Sequence, residues 1–246
     1  ARRPGQSAYF PPHLRLLRRA VEFDIQPDRR LGPQMRHRGL PPDEVRWVVL
    51  THLHPDHTGG LEFFPNAEFL VSLTEGEWAS GWSGRMRGYA RGQWPEDFEP
   101  TLVDFDGPAF NPWSASHVWT ESNDIWLVPT PGHSAGHMSV ILEEEHGERY
   151  LFFAGDAAYS QALLVGDRHD GVSRDLEVQH KTREKILNLA ATEPTVFLPS
   201  HEWEARGRLT ARQIIPPERT AARPNIPLYV DVPPPSEQES DAGLPL

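Results

Sequence analysis

Apolar residues in this chain fall into short runs, and several runs stop abruptly on a residue able to bind a metal. The clearest is Val48-Val49-Leu50, inside a predicted strand over Val45–Thr51. An unbroken apolar run of this kind reads as a strand buried on both faces. Ala67–Ser72, Thr101–Phe105, Ile125–Val128 and Thr195–Leu198 read as further strands. Met138–Leu142 and Tyr150–Phe153 read as a hairpin closed by the polar turn Glu144-Glu145-His146-Gly147.

Helical periodicity is weaker. Its longest stretch is Asp175–Thr192, with apolar positions at Leu176, Ile186, Leu187, Ala190 and Ala191. Residues 28–38 carry a helical pattern through Leu31 and Met35, which Gly39 and Pro41-Pro42 terminate. Leu61–Phe64 predicts a short helix or turn, Glu75–Ala79 a helical turn, and Trp203–Gln213 a closing helix. Residues 76–98 gather Trp78, Trp82, Met86, Tyr89, Trp94 and Phe98 at a spacing that suits neither helix nor strand. They form either a lid over a nearby site or a satellite hydrophobic cluster under a long loop. Residues 1–20 are basic and aromatic; Tyr9 and Phe10 either line a substrate mouth or pack as an arm. From Pro216 to Leu246, eight prolines in 31 residues predict an extended tail, which leaves 1–215 as the folded domain.

A chain of 246 residues suffices for one domain with a proper core. The net charge of −11, with no long Lys/Arg cluster, argues against nucleic acid as a partner. No apolar run approaches the length of a bilayer span, so no membrane partner is expected either. No signal-peptide pattern follows Ala1, and a cytoplasmic location is the expectation, with a homodimer allowed for. There is no cysteine, so any metal must sit on His, Asp or Glu.

That restriction matters at residues 48–60, Val-Val-Leu-Thr-His-Leu-His-Pro-Asp-His-Thr-Gly-Gly. His52, His54, Asp56 and His57 crowd three imidazoles and a carboxylate into six positions. Such crowding is costly unless something is bound, and neutral imidazole with carboxylate suits zinc-like divalent ions. In an extended segment His52 and His54 point to one side. Pro55 favours extended backbone at His54, and Asp56 and His57 follow once the chain has turned.

The pattern His-x-His-x-Asp-His after an apolar strand resembles the metallo-β-lactamase superfamily. Its further landmarks occur in order: Thr130-Pro131-Gly132-His133, Phe153-Ala154-Gly155-Asp156 and Leu198-Pro199-Ser200-His201. The resemblance spans about residues 20–213 and is greatest to the N-acyl homoserine lactonase-like branch, because Tyr159 follows Asp156 by three residues. It implies an α+β fold, an αββα sandwich with the metal site at one rim of two sheets. Two departures are visible. Glu202 follows His201 where relatives often carry Asp, and the strands that precede the position of residue 1 in the family are missing, so the expected sandwich is truncated at its N-terminus.

By this resemblance one ion is held by His52, His54 and His133, a second by Asp56, His57 and His201, and Asp156 bridges them. The implied cofactor is two Zn2+, other divalent ions being admissible. The implied chemistry is hydrolysis of a small-molecule ester or lactone by a hydroxide shared between the ions. Tyr159 either donates its phenol proton to the substrate carbonyl or packs beneath the site. Asp56 is the candidate proton carrier to the leaving alkoxide. His137 is expected to brace a ligand loop rather than bind metal. His13, His37, His117, His146, His169 and His180 are expected to be surface or structural. The alternatives are a thioester or organophosphate hydrolase of the same fold, or a non-catalytic metal-binding remnant.

Overall fold

A computed structural model describes residues 26–220, apart from Gly88, Glu145, His146, Asp167 and the side chains of Arg85, Met86 and Gln93. Strands β1 (Trp47–Val49), β2 (Glu68–Ser72) and β3 (Thr101–Val103) form a parallel sheet in that order. Strands β4 (His117–Val118), β5 (Ile125–Pro129), β6 (Met138–Glu144), β7 (Arg149–Gly155) and β8 (Thr195–Pro199) form the second sheet. Neighbours there are antiparallel as far as β7, and β8 runs parallel to β7. The helices are α1 (Leu31–His37), α2 (Pro55–Thr58), α3 (Leu73–Ala79), α4 (Gly81–Met86), α5 (Gln161–Gly166), α6 (Leu176–Thr192) and α7 (Ala205–Ala211).

Strand alternation explains the layering. Leu70 and Val103 of the first sheet meet Leu127 and Met138 of the second, and this is the inter-sheet core. The next residue on β2, Val71, points the other way and packs with Leu53, Leu61, Ala79 and Tyr89. On the second sheet Val128, Ile141, Phe152 and Phe197 turn outward to Ile186 and Leu189 of α6. Helices therefore cover both outer faces, giving an αββα sandwich. Ile141, Phe152, Ile186 and Phe197 are wholly buried, each worth roughly 1.5–3 kcal/mol against exposure. Asp175 starts α6 by accepting a hydrogen bond from Val178 N at 3.0 Å.

Several sequence expectations need correction. The strand predicted over Val45–Thr51 is only Trp47–Val49, and it is not buried on both faces: Trp47 is 46% exposed. Among the described residues β1 pairs only with β2, so one edge is open, and an apolar run says nothing about missing neighbours. An open groove of about 420 Å³ runs beside that edge between Val49, Phe153, Leu198 and Leu209, and reaches His57. Residues 76–98 are not free of helix, since α4 lies within them. Tyr89, Trp94 and Phe98 pack with Leu50, Leu53 and Phe69, which is the satellite-cluster arrangement. Trp78 lies under the guanidinium groups of Arg87 and Arg174, and Trp82 is exposed. The short strand β4 and helix α5 have no counterpart among the predicted elements.

The closing helix is shorter than predicted, Ala205–Ala211. Pro217–Arg219 form a 3-10 turn, and Ile215 joins the core beside α6. The rest of the proline-rich segment, together with Tyr9, Phe10, His13 and His146, lies outside the described residues. No helix among the described residues is long and apolar enough to cross a membrane.

Candidate metal centre

Four strands end at one rim, and each hands over a ligand-type residue. Beyond β1 the chain stays extended through His54 (φ −67°, ψ 156°), which caps α2, and Pro55 opens the helix. Asp56 and His57 thereby fall in its first turn. Beyond β5 comes His133, beyond β7 Asp156, and beyond β8 His201. The rim is cross-tied: Met138 N donates to Thr51 O at 2.9 Å, and Ser200 N to Gly155 O at 3.0 Å. Gly155 has φ +53°, and a Cβ there would come within 2.8 Å of His137 Nε2 and 2.7 Å of Thr51 Oγ1, so glycine is required. The His133 loop is held from behind by α6, through Thr182 Oγ1 to Pro131 O at 2.7 Å and Asp175 N to Gly132 O at 2.9 Å.

The side chains converge as two groups whose ligand atoms lie close enough to share an ion. One is His52, His54 and His133; the other is Asp56, His57, Asp156 and His201. In the first, His54 Nδ1 and His133 Nε2 are 2.9 Å apart. Asp156 reaches both groups. Its Oδ2 is 3.4 Å from His133 Nε2, 3.9 Å from His52 Nε2 and 3.2 Å from His201 Nε2, and its Oδ1 is 3.3 Å from His57 Nε2. Asp56 Oδ2 stands 3.6 Å from His201 Nε2 and 3.7 Å from His57 Nε2.

Electrostatics favours a bound cation. Burial, then neighbouring imidazoles, holds His52 well below the ordinary histidine value. Burial takes His133 down to about 4. Both rings are therefore neutral near pH 7, with a lone pair free to bind metal. Burial alone would raise Asp156, but the hydrogen bond from His201 and the imidazoles of His57 and His133 outweigh it and hold the carboxylate ionised. His52 Nε2, His57 Nε2 and Asp156 Oδ1 are buried with no hydrogen-bond partner. Each such atom costs about 1–3 kcal/mol. Cations held by the two groups would satisfy these atoms, His52 in one group and His57 with Asp156 in the other, and this nitrogen-and-oxygen donor set without sulfur fits zinc-like ions.

His137 stands outside both groups. Its Nε2 accepts the Asp156 backbone N–H at 3.0 Å, so its Nδ1 carries the proton and donates to Thr130 Oγ1 at 2.8 Å. Thr130 is in turn 2.8 Å from Ser139 Oγ, which donates to Ala154 O. Its lone pair is spent on holding Asp156, and burial keeps the ring neutral, with its pKa lowered to about 3. Tyr159 lies over the second group, its ring 4.5 Å from that of His201 and 5.8 Å from that of His133. Burial, then Asp156, raises its phenol, which therefore remains a proton donor. Glu202 accepts from Gln161 N at 3.0 Å and pairs with Arg208, fastening α5 and α7 beside His201.

One residue escaped sequence reasoning. Glu75 is fully buried and hydrogen-bonded to both histidine loops. The only signal available was Ser72-x-x-Glu75, a capping-box spacing that gives the carboxylate a local task. Ser72 does cap α3 through Glu75 N, but the carboxylate turns elsewhere.

The profile of the Metallo-beta-lactamase superfamily matches residues 20–201. The chain belongs to this superfamily. Among metallo-beta-lactamase relatives, a probable metallo-hydrolase of Mycobacterium tuberculosis is 36% identical over 168 residues, 65% of this chain and 52% of that protein. The N-acyl homoserine lactonase AttM of Rhizobium johnstonii is 31% identical over 144 residues, 55% of this chain and 50% of AttM. The chain thus spans about half the length of the curated relatives it matches. A solved N-acyl homoserine lactone hydrolase, with N-hexanoyl-L-homoserine bound at its catalytic metal centre, superposes with TM-score 0.61 at 21% identity. That match covers 74% of this chain and 66% of the other, and shows the shared fold.

Proposed function

We propose that the chain is a metal-dependent hydrolase that opens lactone rings, N-acyl homoserine lactones or simple γ-lactones, at a pair of zinc ions. Residues 1–215 form the hydrolase domain and 216–246 a tail. The observation that carries the reading is the convergence of seven ligand side chains from four strand ends into two adjacent groups joined by Asp156. Lactonases among the superfamily relatives support the substrate class.

Two divalent ions held there would lower the pKa of water towards neutrality and polarise an ester carbonyl. The chain's own groups do the rest. The Tyr159 phenol, protonated at neutral pH, donates to the carbonyl oxygen as negative charge develops on it. Water adds to the carbonyl carbon, the ring C–O bond breaks, and the departing alkoxide takes a proton to give a hydroxy acid. Asp56, 49% exposed and beside His57 and His201, is placed to pass that proton. A thiolate leaving group needs no such delivery, so this pairing of phenol and carboxylate suits an oxygen ester.

The test is kcat/KM of the zinc-loaded chain for lactone, thioester and phosphotriester, with metal content measured alongside. Lactone opening should dominate. Thioester or phosphotriester turnover in excess of it moves the protein to another hydrolase class, and two bound ions with no turnover of any ester leave a metal-binding domain.

A further inference from the structure

Glu75 belongs to neither ligand group, yet its carboxylate touches both loops that carry the three histidines. It lies in the first turn of α3, wholly removed from solvent. Oε1 accepts from Leu53 N at 3.0 Å, and Leu53 stands between His52 and His54. Oε2 accepts from Ser134 Oγ at 2.7 Å and Gly136 N at 3.1 Å, in the turn that His133 opens. The Tyr89 ring lies 5.5 Å from that of His54 on the same side of the site, and burial, then Glu75, raises its phenol. Helix and turn meet closely: a Cβ on Gly136 would lie 2.0 Å from Glu75 N, and Ser72 Oγ donates to Gly136 O.

A carboxyl group is costly to bury unless its oxygens are hydrogen-bonded. Where only packing is required, an apolar side chain serves as well or better. Among the described residues, the hydrogen bonds to the Glu75 carboxylate come from the two histidine loops, through Leu53 N, Ser134 Oγ and Gly136 N, and none comes from the Asp56, His57, Asp156 and His201 group.

We propose that Glu75 is a positioning residue for the three-histidine group. It ties the backbone between His52 and His54 to the turn after His133, so that imidazoles 79 residues apart in sequence meet around one ion. The proposal rests on the metal reading of the site.

Cobalt(II) binding to the full chain tests it. His133→Ala identifies which absorption band and which binding step belong to the three-histidine ion. Glu75→Gln keeps the size but replaces one acceptor oxygen by a donor, so an edge facing N–H groups loses its match. It should weaken the three-histidine step about 10- to 100-fold, the range typical of residues that orient ligands, and leave the other step unchanged. Ser134→Ala removes a single donor and should weaken the same step by less. It decides the matter should Glu75→Gln fail to fold. Folded variants that match wild type at the three-histidine step, or that lose both steps equally, overturn the proposal. A wild-type chain that takes up no cobalt overturns instead the metal reading beneath it.

Discussion

His52 and His133 are 0% and 3% exposed, whereas the side chains of Asp56 and His201 are 49% and 36% exposed. The two halves of one centre are thus built in opposite ways. In the three-histidine half His52 and His133 are buried, His54 is half-buried and burial lowers the pKa of all three, and its loops are tied to a helix through Glu75. The other half opens to solvent at Asp56 and His201 while Asp156 stays buried, and His201 has its pKa raised by its hydrogen bond with Asp156. On the proposed hydrolase reading, the more buried half would fix geometry and the more open half would admit substrate and pass protons.

The comparison can be broken most severely by taking the metal away. A chelator is expected to abolish ester turnover and lower the unfolding temperature, because an ion held at a hundred times its Kd contributes about 2.7 kcal/mol. Activity that survives complete removal of metal, by elemental analysis, would defeat both halves together. Next in size, His133→Ala should lose one of the two ions, while His201→Ala, at the open half, should keep the three-histidine ion. Zinc stoichiometry of the pair checks this, and loss of both ions in either variant removes the distinction.

Tyr159→Phe addresses the open half alone. It should reduce kcat by about ten- to a thousand-fold, the upper end matching loss of an oxyanion donor, with metal content intact. Steady-state kinetics on a lactone decide it, and unchanged kcat assigns Tyr159 to packing. His137→Ala sharpens the contrast from the other side. It orphans the Asp156 N–H and should cost about 1–3 kcal/mol of stability, yet retain more metal than His133→Ala. Denaturant melts and zinc counts on the two variants are the readout.

A further test is the pH dependence of the metal-free chain. Burial lowers His133 to about 4 and His137 to about 3 from an ordinary 6.5. Between those values the unfolded chain binds more protons, so stability falls as pH drops through the window. His201 has the opposite sign: its raised pKa stabilises fully below 6.5, and that contribution is lost as pH climbs through the folded value. The buried pair should win, so the melting temperature of the metal-free chain is expected to rise between about pH 4 and 6.5. A flat or falling profile would show that the histidine pocket opens without metal.

The ligand motifs, the strands that deliver them and the long helix α6 could be read from the sequence, because each is a local pattern. Val48-Val49-Leu50 followed by His-x-His-x-Asp-His, or Asp175 ahead of an apolar-spaced run, needs no distant partner to be recognised. Tertiary structure alone decided the rest. β1 looks like a doubly buried strand, yet among the described residues it pairs only with β2 and Trp47 is exposed, because burial depends on what stands beside it. The aromatic stretch contains α4, and Trp94 and Phe98 find their partners at Leu50 and Phe69, far back in the chain. His133 and His137 carry the same chemistry four residues apart; the resemblance told them apart in the sequence, and the structure supplies the reason, since Asp156 N takes the lone pair of His137. Glu75 reads as a helix cap until folding brings Leu53, Ser134 and Gly136 to its oxygens. Spacing along a chain specifies which side chains can share a face, but hydrogen bonds and burial depend on residues that only the folded chain brings within reach.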